Sequence, residues 1–158
     1  MHPNIALINR FYSAFARRDA VGMAACYHPD VTFHDPVFET LKGDRARGMW
    51  QMLCERAGDM TLTWGQIKTG ENWASAHWEA RYRFSGTGRK VHNIISANFE
   101  FRDGLIWKHT DEFNLTRWAR QALGLVGWIV GHTQKTHAKI RTMAAKNLDQ
   151  YLTDRKRG

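Results

Sequence analysis

Cysteine is scarce in this 158-residue chain, which holds only Cys26 and Cys54. Both sit in helix-like contexts with no base at a recognisable spacing, so they read as packing residues, not as a disulfide framework or a nucleophile. Long apolar runs are also missing. The longest, Ala122 to Val130, is too short to span a bilayer. No leader pattern precedes the first amphipathic stretch, and a cytoplasmic setting is expected. Repeats and low-complexity segments are absent. Acidic residues are few, 15 against 23 Lys and Arg, and the net charge is +8. The imbalance is local: from His132 to Gly158 seven Lys or Arg face only Asp149 and Asp154, which accounts for +5 of that total. Nucleic-acid binding wants basic residues interleaved with aromatics on one surface. Only Tyr151 accompanies the basic tail, so no nucleic-acid partner is expected. An apolar run with Trp128 ahead of a basic amphipathic helix permits a membrane-surface contact. The favoured reading packs that helix on the body of the protein or on a partner subunit.

Aromatic residues, in contrast, make up 12% of the chain, with seven Trp and eight Phe, and 43% of residues are hydrophobic. That is enough for one domain with a core or cavity walled by flat rings. The stretch Val91 to Phe113 organises the rest. Val91, Asn93, Ile95, Ala97, Phe99 and Phe101 alternate with His92, Ile94, Ser96, Asn98 and Glu100, as a half-buried strand requires. Asp103-Gly104 is a hairpin turn signal. Beyond it Trp107, His109, Asp111 and Phe113 share a face. A His and an Asp on an apolar face cost free energy unless paired or hydrated, and a wet cavity in an apolar interior would accommodate them.

Upstream, Ile5, Ile8, Phe11, Tyr12 and Phe15 form a helical stripe over Pro3 to Arg18. Asp19 caps a second helix to Tyr27, Val31 to His34 is a short strand, and Gly43-Asp44 starts a third helix to about Arg56. Thr61 to Lys68 and Ala74 to Phe84 alternate as strands, with Leu62, Trp64 and Gln66 on one side of the first and Trp78, Ala80, Tyr82 and Phe84 on one side of the second. Short connections make the strands antiparallel. After Asn114 a short helix spans Leu115 to Leu123, Gly127 and Gly131 break the apolar run, and a long helix covers about Thr133 to Thr153. The expected fold class is α+β: a cone-shaped curved antiparallel sheet with three N-terminal helices packed on it, plus a C-terminal helical extension. Residues 1–114 make the cone and 115–158 the extension.

This order of elements resembles the nuclear transport factor 2-like superfamily, which includes ketosteroid isomerases, limonene epoxide hydrolases and SnoaL-like polyketide cyclases. The resemblance covers about residues 4 to 114. Its clearest match runs from Phe11 through Asp19 to Phe33-His34-Asp35-Pro36, and it implies that Asp35 occupies the general-base position of the isomerases. Phe11 and Ala97 stand where those enzymes carry their two oxyanion donors, with Tyr12 one place off, so steroid isomerisation by that route is not implied. Asp111 through Gly124, DEFNLTRWARQALG, is similar to the end of SnoaL-like proteins, in which an inward acid shuttles protons. Epoxide hydrolysis in this fold uses an inward Asp-Arg-Asp group, and Arg81 and Arg83 fall on the outer face.

The candidate catalytic residues are therefore Asp35, His109 and Asp111. Asp35 in an apolar wall near a second carboxylate should have a raised pKa, as a base working near neutrality needs. Phe11, Tyr12, Phe33, Trp50, Trp64, Trp78, Tyr82, Asn93, Ala97, Phe99, Trp107 and Phe113 are the expected ligand-binding wall. One His and two carboxylates are a weak metal signal, and neither metal nor organic cofactor is expected. The bland alternatives are a turn role for Asp35 before Pro36 and a structural hydrogen-bonded pair for His109 and Asp111. The expected function is acid–base isomerisation, cyclisation or dehydration of a hydrophobic, ring-bearing carbonyl compound. A non-catalytic carrier of the same fold is the alternative, and a dimeric scaffold a second. The resemblance implies a homodimer through the outer sheet face, where His77, Glu79, Arg81, Arg83, Ile94 and Ser96 lie.

Overall fold

The computed structural model describes residues 1–157; Gly158, at the end of the expected extension, lies outside them. Helix α1 spans Pro3–Ala16 and opens on Pro3, whose missing N–H is no loss in a first turn. Asp19 accepts from the Gly22 N–H and caps α2, Ala20–Ala25, which ends two residues earlier than expected because Tyr27 already belongs to β1, Tyr27–Asp35. A second strand, β2, Glu39–Lys42, folds back on β1, and α3, Asp44–Glu55, follows Gly43 at φ 55°. Strands β3, Thr61–Thr69, β4, Trp73–Arg83, β5, Lys90–Arg102, and β6, Leu105–Glu112, complete the sheet in the order β2-β1-β6-β5-β4-β3. Asp103 and Gly104 take φ 54° and 74° in the β5–β6 turn, the left-handed pair that a two-residue hairpin demands.

The sheet is mixed, which corrects the expectation that all its strands run antiparallel. β1 runs parallel to β6, pairing Phe33 with His109 and His34 with Thr110. Short connections fix the direction only of neighbours in sequence, and here four strands and a helix separate the partners. β2 was not foreseen, since in its four residues only Leu41 turns inward. In β3 the register shifts between Gly65 and Lys68, and Gln66, at φ 51°, is exposed, so the expected inward alternation ends at Trp64.

The curved, unclosed sheet holds α1 across β3 and β4 and α3 against β1 and β2, with α2 between the two helices. Ile8, Phe11, Tyr12, Phe33, Met49 and Ile106 are sealed between these layers. The sequence then adds α4, Leu115–Leu123, α5, Leu125–Val130, and α6, Gln134–Arg157. Gly124 and Gly131 bound α5, but Gly127 lies inside it and does not break it. α6 lies on α3: Leu148 is fully buried, Leu152 abuts Gly48, and Arg45–Asp149 and Arg155–Glu55 pair across the seam. No helix among the described residues is long and apolar enough to cross a membrane.

Candidate functional site

Parallel pairing of β1 with β6 decides where the polar groups meet. Phe33 lies beside His109, so Asp35, two residues on, shares the inner face with Asp111 on the next strand. Across the other edge of β6, Asp111 faces the small Ala97 of β5. Asp35 is thus brought to the face that carries His109 and Asp111, more than 70 residues further along the chain, and the latter two lie beneath a ring-packed interior.

His109 is wholly buried. Its Nε2 lies 2.9 Å from Asp111 Oδ1, and its Nδ1 lies 2.8 Å from the Tyr27 hydroxyl. Trp50 Nε1–H donates to Tyr27 at 2.7 Å, and Trp78 Nε1–H donates to Asp111 Oδ1 at 3.3 Å. One proton assignment satisfies every member: with its oxygen accepting from Trp50, Tyr27 donates to Nδ1, and Nε2–H donates to Asp111. Rings close the rest of the space. Trp50 stacks on His109 with centroids 5.9 Å apart and planes 12° apart, Phe99 sits at 4.5 Å, and Phe11 and Phe33 meet it edge-on. The inward His and Asp, for which the sequence suggested a wet cavity, find hydrogen-bond partners within the protein. Tyr27 is the functional residue that sequence reasoning missed. Its position seemed to be the end of a helix, and only the parallel pairing of β1 brings it to His109.

Asp35 is 8% exposed, at the open end of the same face. Its Oδ1 accepts from the N–H groups of Val37 at 2.8 Å and Phe38 at 2.6 Å, an Asx-type turn that leads into β2. Burial raises its pKa from 3.8 to about 7, against the lowering effect of those two N–H groups and with the help of the Asp111 charge. Among the described residues no side-chain or backbone donor occupies Oδ2, which stays available. Tyr82 is near enough for the Asp35 charge to add to the burial that raises its own pKa, and its oxygen accepts from Trp118 Nε1 at 2.7 Å, leaving its proton free to donate. Asn93 lies on the inner face of β5, diagonal to Tyr82 across the β4–β5 pairing, and is 8% exposed with its amide unclaimed by other side chains. α4 closes this rim, with Arg117 donating to the His92 carbonyl and Thr87 to that of Ala122.

Phe11, Tyr12, Phe33, Trp50, Trp78, Ala97 and Phe99 are buried and packed on one another, so they form a floor, not an open wall. Trp64 and Phe113 are half-buried against that floor, with Trp64 stacked on Tyr12. Tyr12 is fully enclosed and its hydroxyl has no partner; burial first, then the charge of Asp111, pushes its pKa well above the usual tyrosine range. Trp107 is a correction. A bulge between Glu100 and Phe101 shifts the register, so Ile106 turns inward and Trp107 lies outside under the Arg102 guanidinium, 3.7 Å from its ring centre. Two surface concavities, an open groove between Glu39 and α6 and a small hollow at the β3 bulge, share no residue with the Asp35 rim. No cluster of three His, Cys, Asp or Glu suited to a metal occurs among the described residues.

The family model of the SnoaL-like domain matches residues 8–109. No curated protein matches the chain. Among solved structures, TerC co-crystallised with polyporic acid superposes with a TM-score of 0.66 at 20% identity over 76% of this chain and 98% of that one. A candidate polyketide cyclase from Xanthomonas campestris pv. campestris gives 0.61 at 22% identity, covering 75% and 96%. An epoxide hydrolase of the LEH-like kind from M. tuberculosis gives 0.63 at 18%, covering 82% and 96%. At these identities the likeness is one of fold.

Proposed function

The chain belongs to the SnoaL-like domain family, and from that premise we propose that it performs cofactor-independent acid–base chemistry on a hydrophobic, ring-bearing carbonyl compound seated at the Asp35 rim. The observation that carries this reading is a buried carboxyl with a pKa near 7, one oxygen fixed by two backbone N–H groups and the other free. Such a group takes a proton from carbon beside a carbonyl and returns it at neutral pH. The Tyr82 hydroxyl and the Asn93 amide supply donors for the carbonyl oxygen as negative charge develops there. Asp111 acts on Asp35 through its charge, and His109, held by Tyr27, positions Asp111; neither touches the ligand.

A carrier without turnover is the second reading, favoured by Phe11 and Ala97 at the oxyanion-donor positions and by a floor filled with rings. Titration with polyporic acid, followed by quenching of tryptophan emission, tests the site in both readings, and product analysis over hours separates them. Asp35→Asn should keep ligand binding within a few-fold and abolish turnover. Binding with no product from the unaltered protein favours the carrier, and unchanged turnover in Asp35→Asn removes Asp35 as the base. We also propose that two copies pair through the outer sheet face, where Ile94 is 41% exposed.

A further inference from the structure

Helix α5 reverses the usual order of a surface helix. Its large residues Leu125, Val126, Trp128 and Ile129 are 76%, 61%, 63% and 63% exposed, while Gly127 is buried. The cause is local. A methyl at Gly127 would overlap the carbonyl of Ala119 in α4, and one at Gly131 would crowd the Ala119 side chain. The two glycines therefore let α5 lie backbone to backbone on α4, and everything bulky is turned to solvent. Scattered exposed hydrophobics need no explanation, but four large ones within five residues of a single helix, one of them Trp, mark a surface that something covers.

The charge around it identifies what. Between Glu112 and Asp149 the chain has no acidic residue and carries Arg117, Arg120, Lys135, Lys139, Arg141 and Lys146. Arg120 lays its guanidinium 4.8 Å from the Trp128 ring centre, and Lys135 and Lys139 are exposed on the first turns of α6, immediately after the apolar helix. Aliphatic residues and a Trp rimmed by cations match the boundary between acyl chains and anionic headgroups, where the ring lies at headgroup level and the cations meet phosphates. A second protein surface would have to supply an apolar hollow ringed with carboxylates, and the outer sheet face of this chain instead mixes Glu79, Glu100 and Glu112 with Arg81, Arg83 and Lys108.

We propose that α5 is a monotopic insertion element that docks the protein on an anionic lipid surface, with Leu125, Trp128 and Ile129 entering the interface and Arg120, Lys135 and Lys139 pairing with headgroups. The test is co-sedimentation of the full chain with vesicles of phosphatidylcholine alone or with phosphatidylglycerol, alongside the emission maximum of the tryptophans. Binding is expected with phosphatidylglycerol vesicles and a shift of emission to the blue, falling at least tenfold in high salt or without the anionic lipid. The double variant Trp128→Ser with Ile129→Ser, at exposed positions that should leave circular dichroism unchanged, should lose at least tenfold in partitioning. Lys135→Gln with Lys139→Gln should weaken it and reduce its salt dependence. Failure of the unaltered protein to bind, equal binding by the apolar variant, or self-association that the apolar variant abolishes would each overturn the proposal.

Discussion

Two tyrosines under the same floor have opposite hydrogen-bonding fates. Tyr27 is held on both sides, by Trp50 and by His109. Tyr27→Phe leaves an indole N–H and an imidazole nitrogen unpaired in a dry interior and should destabilise the fold by about 1–3 kcal/mol. The Tyr12 hydroxyl has no partner to lose. Tyr12→Phe should leave stability unchanged or raise it by up to about 1 kcal/mol, since it removes an unsatisfied buried group. Urea unfolding of the two variants side by side checks the contrast. Asp35 gives a pH signature. From about pH 3.8 to about pH 7 the folded chain keeps a proton that the unfolded chain releases, so stability falls as pH rises through this window and then levels off. In Asp35→Asn that slope disappears while an oxygen remains for Val37 and Phe38. The variant should be about 1–3 kcal/mol more stable than the unaltered protein at pH 8 and should have lost most of that advantage at pH 4. Much of this was legible from single residues: the inward parity of Asn93, Ala97, His109 and Asp111 follows from alternation alone. Tyr27 was not legible, because its role depends on His109, 82 residues away, and Trp107 was misplaced because a one-residue bulge leaves no mark in an apolar-polar pattern.

Among the elements, the helices and the four long strands carried their own signals: a cap at Asp19, an Asp-Gly turn, and stripes at helical spacing. β2 carried none, and the parallel seam between β1 and β6 could not be read from connection lengths. α6 was read as a helix with two possible docks, and its stripe of Leu148, Tyr151 and Leu152 lies on α3. Leu148 is wholly buried, so Leu148→Ala should cost about 2–5 kcal/mol if the seam belongs to the same cooperative unit as the cone. The test is whether tertiary signals from the cone and helical signals from α6 are lost together in one shifted transition. A separate early loss of helix, with the cone unmoved, would mean that α6 frays independently.

At the scale of the whole molecule, one face of the sheet is spent on the core and the other is left bare. On the bare face Glu79 is held between two histidines, His77 at 2.8 Å and His92 at 2.6 Å, and hydrogen bonds from both hold its pKa below the usual carboxylate range. Ile94 pairs with Glu79 across β4 and β5 and projects from the centre of that patch. An apolar residue ringed by half-buried, mutually satisfied polar groups suits a self-complementary contact, because two copies related by a two-fold axis bring Ile94 to Ile94 without stranding a charge. The chain should therefore sediment at twice its own mass at micromolar concentration, and Ile94→Glu, which sets four like charges against one another across the axis, should shift it to the monomer while circular dichroism stays the same. An Ile94→Glu variant that still pairs would place the contact elsewhere on the surface.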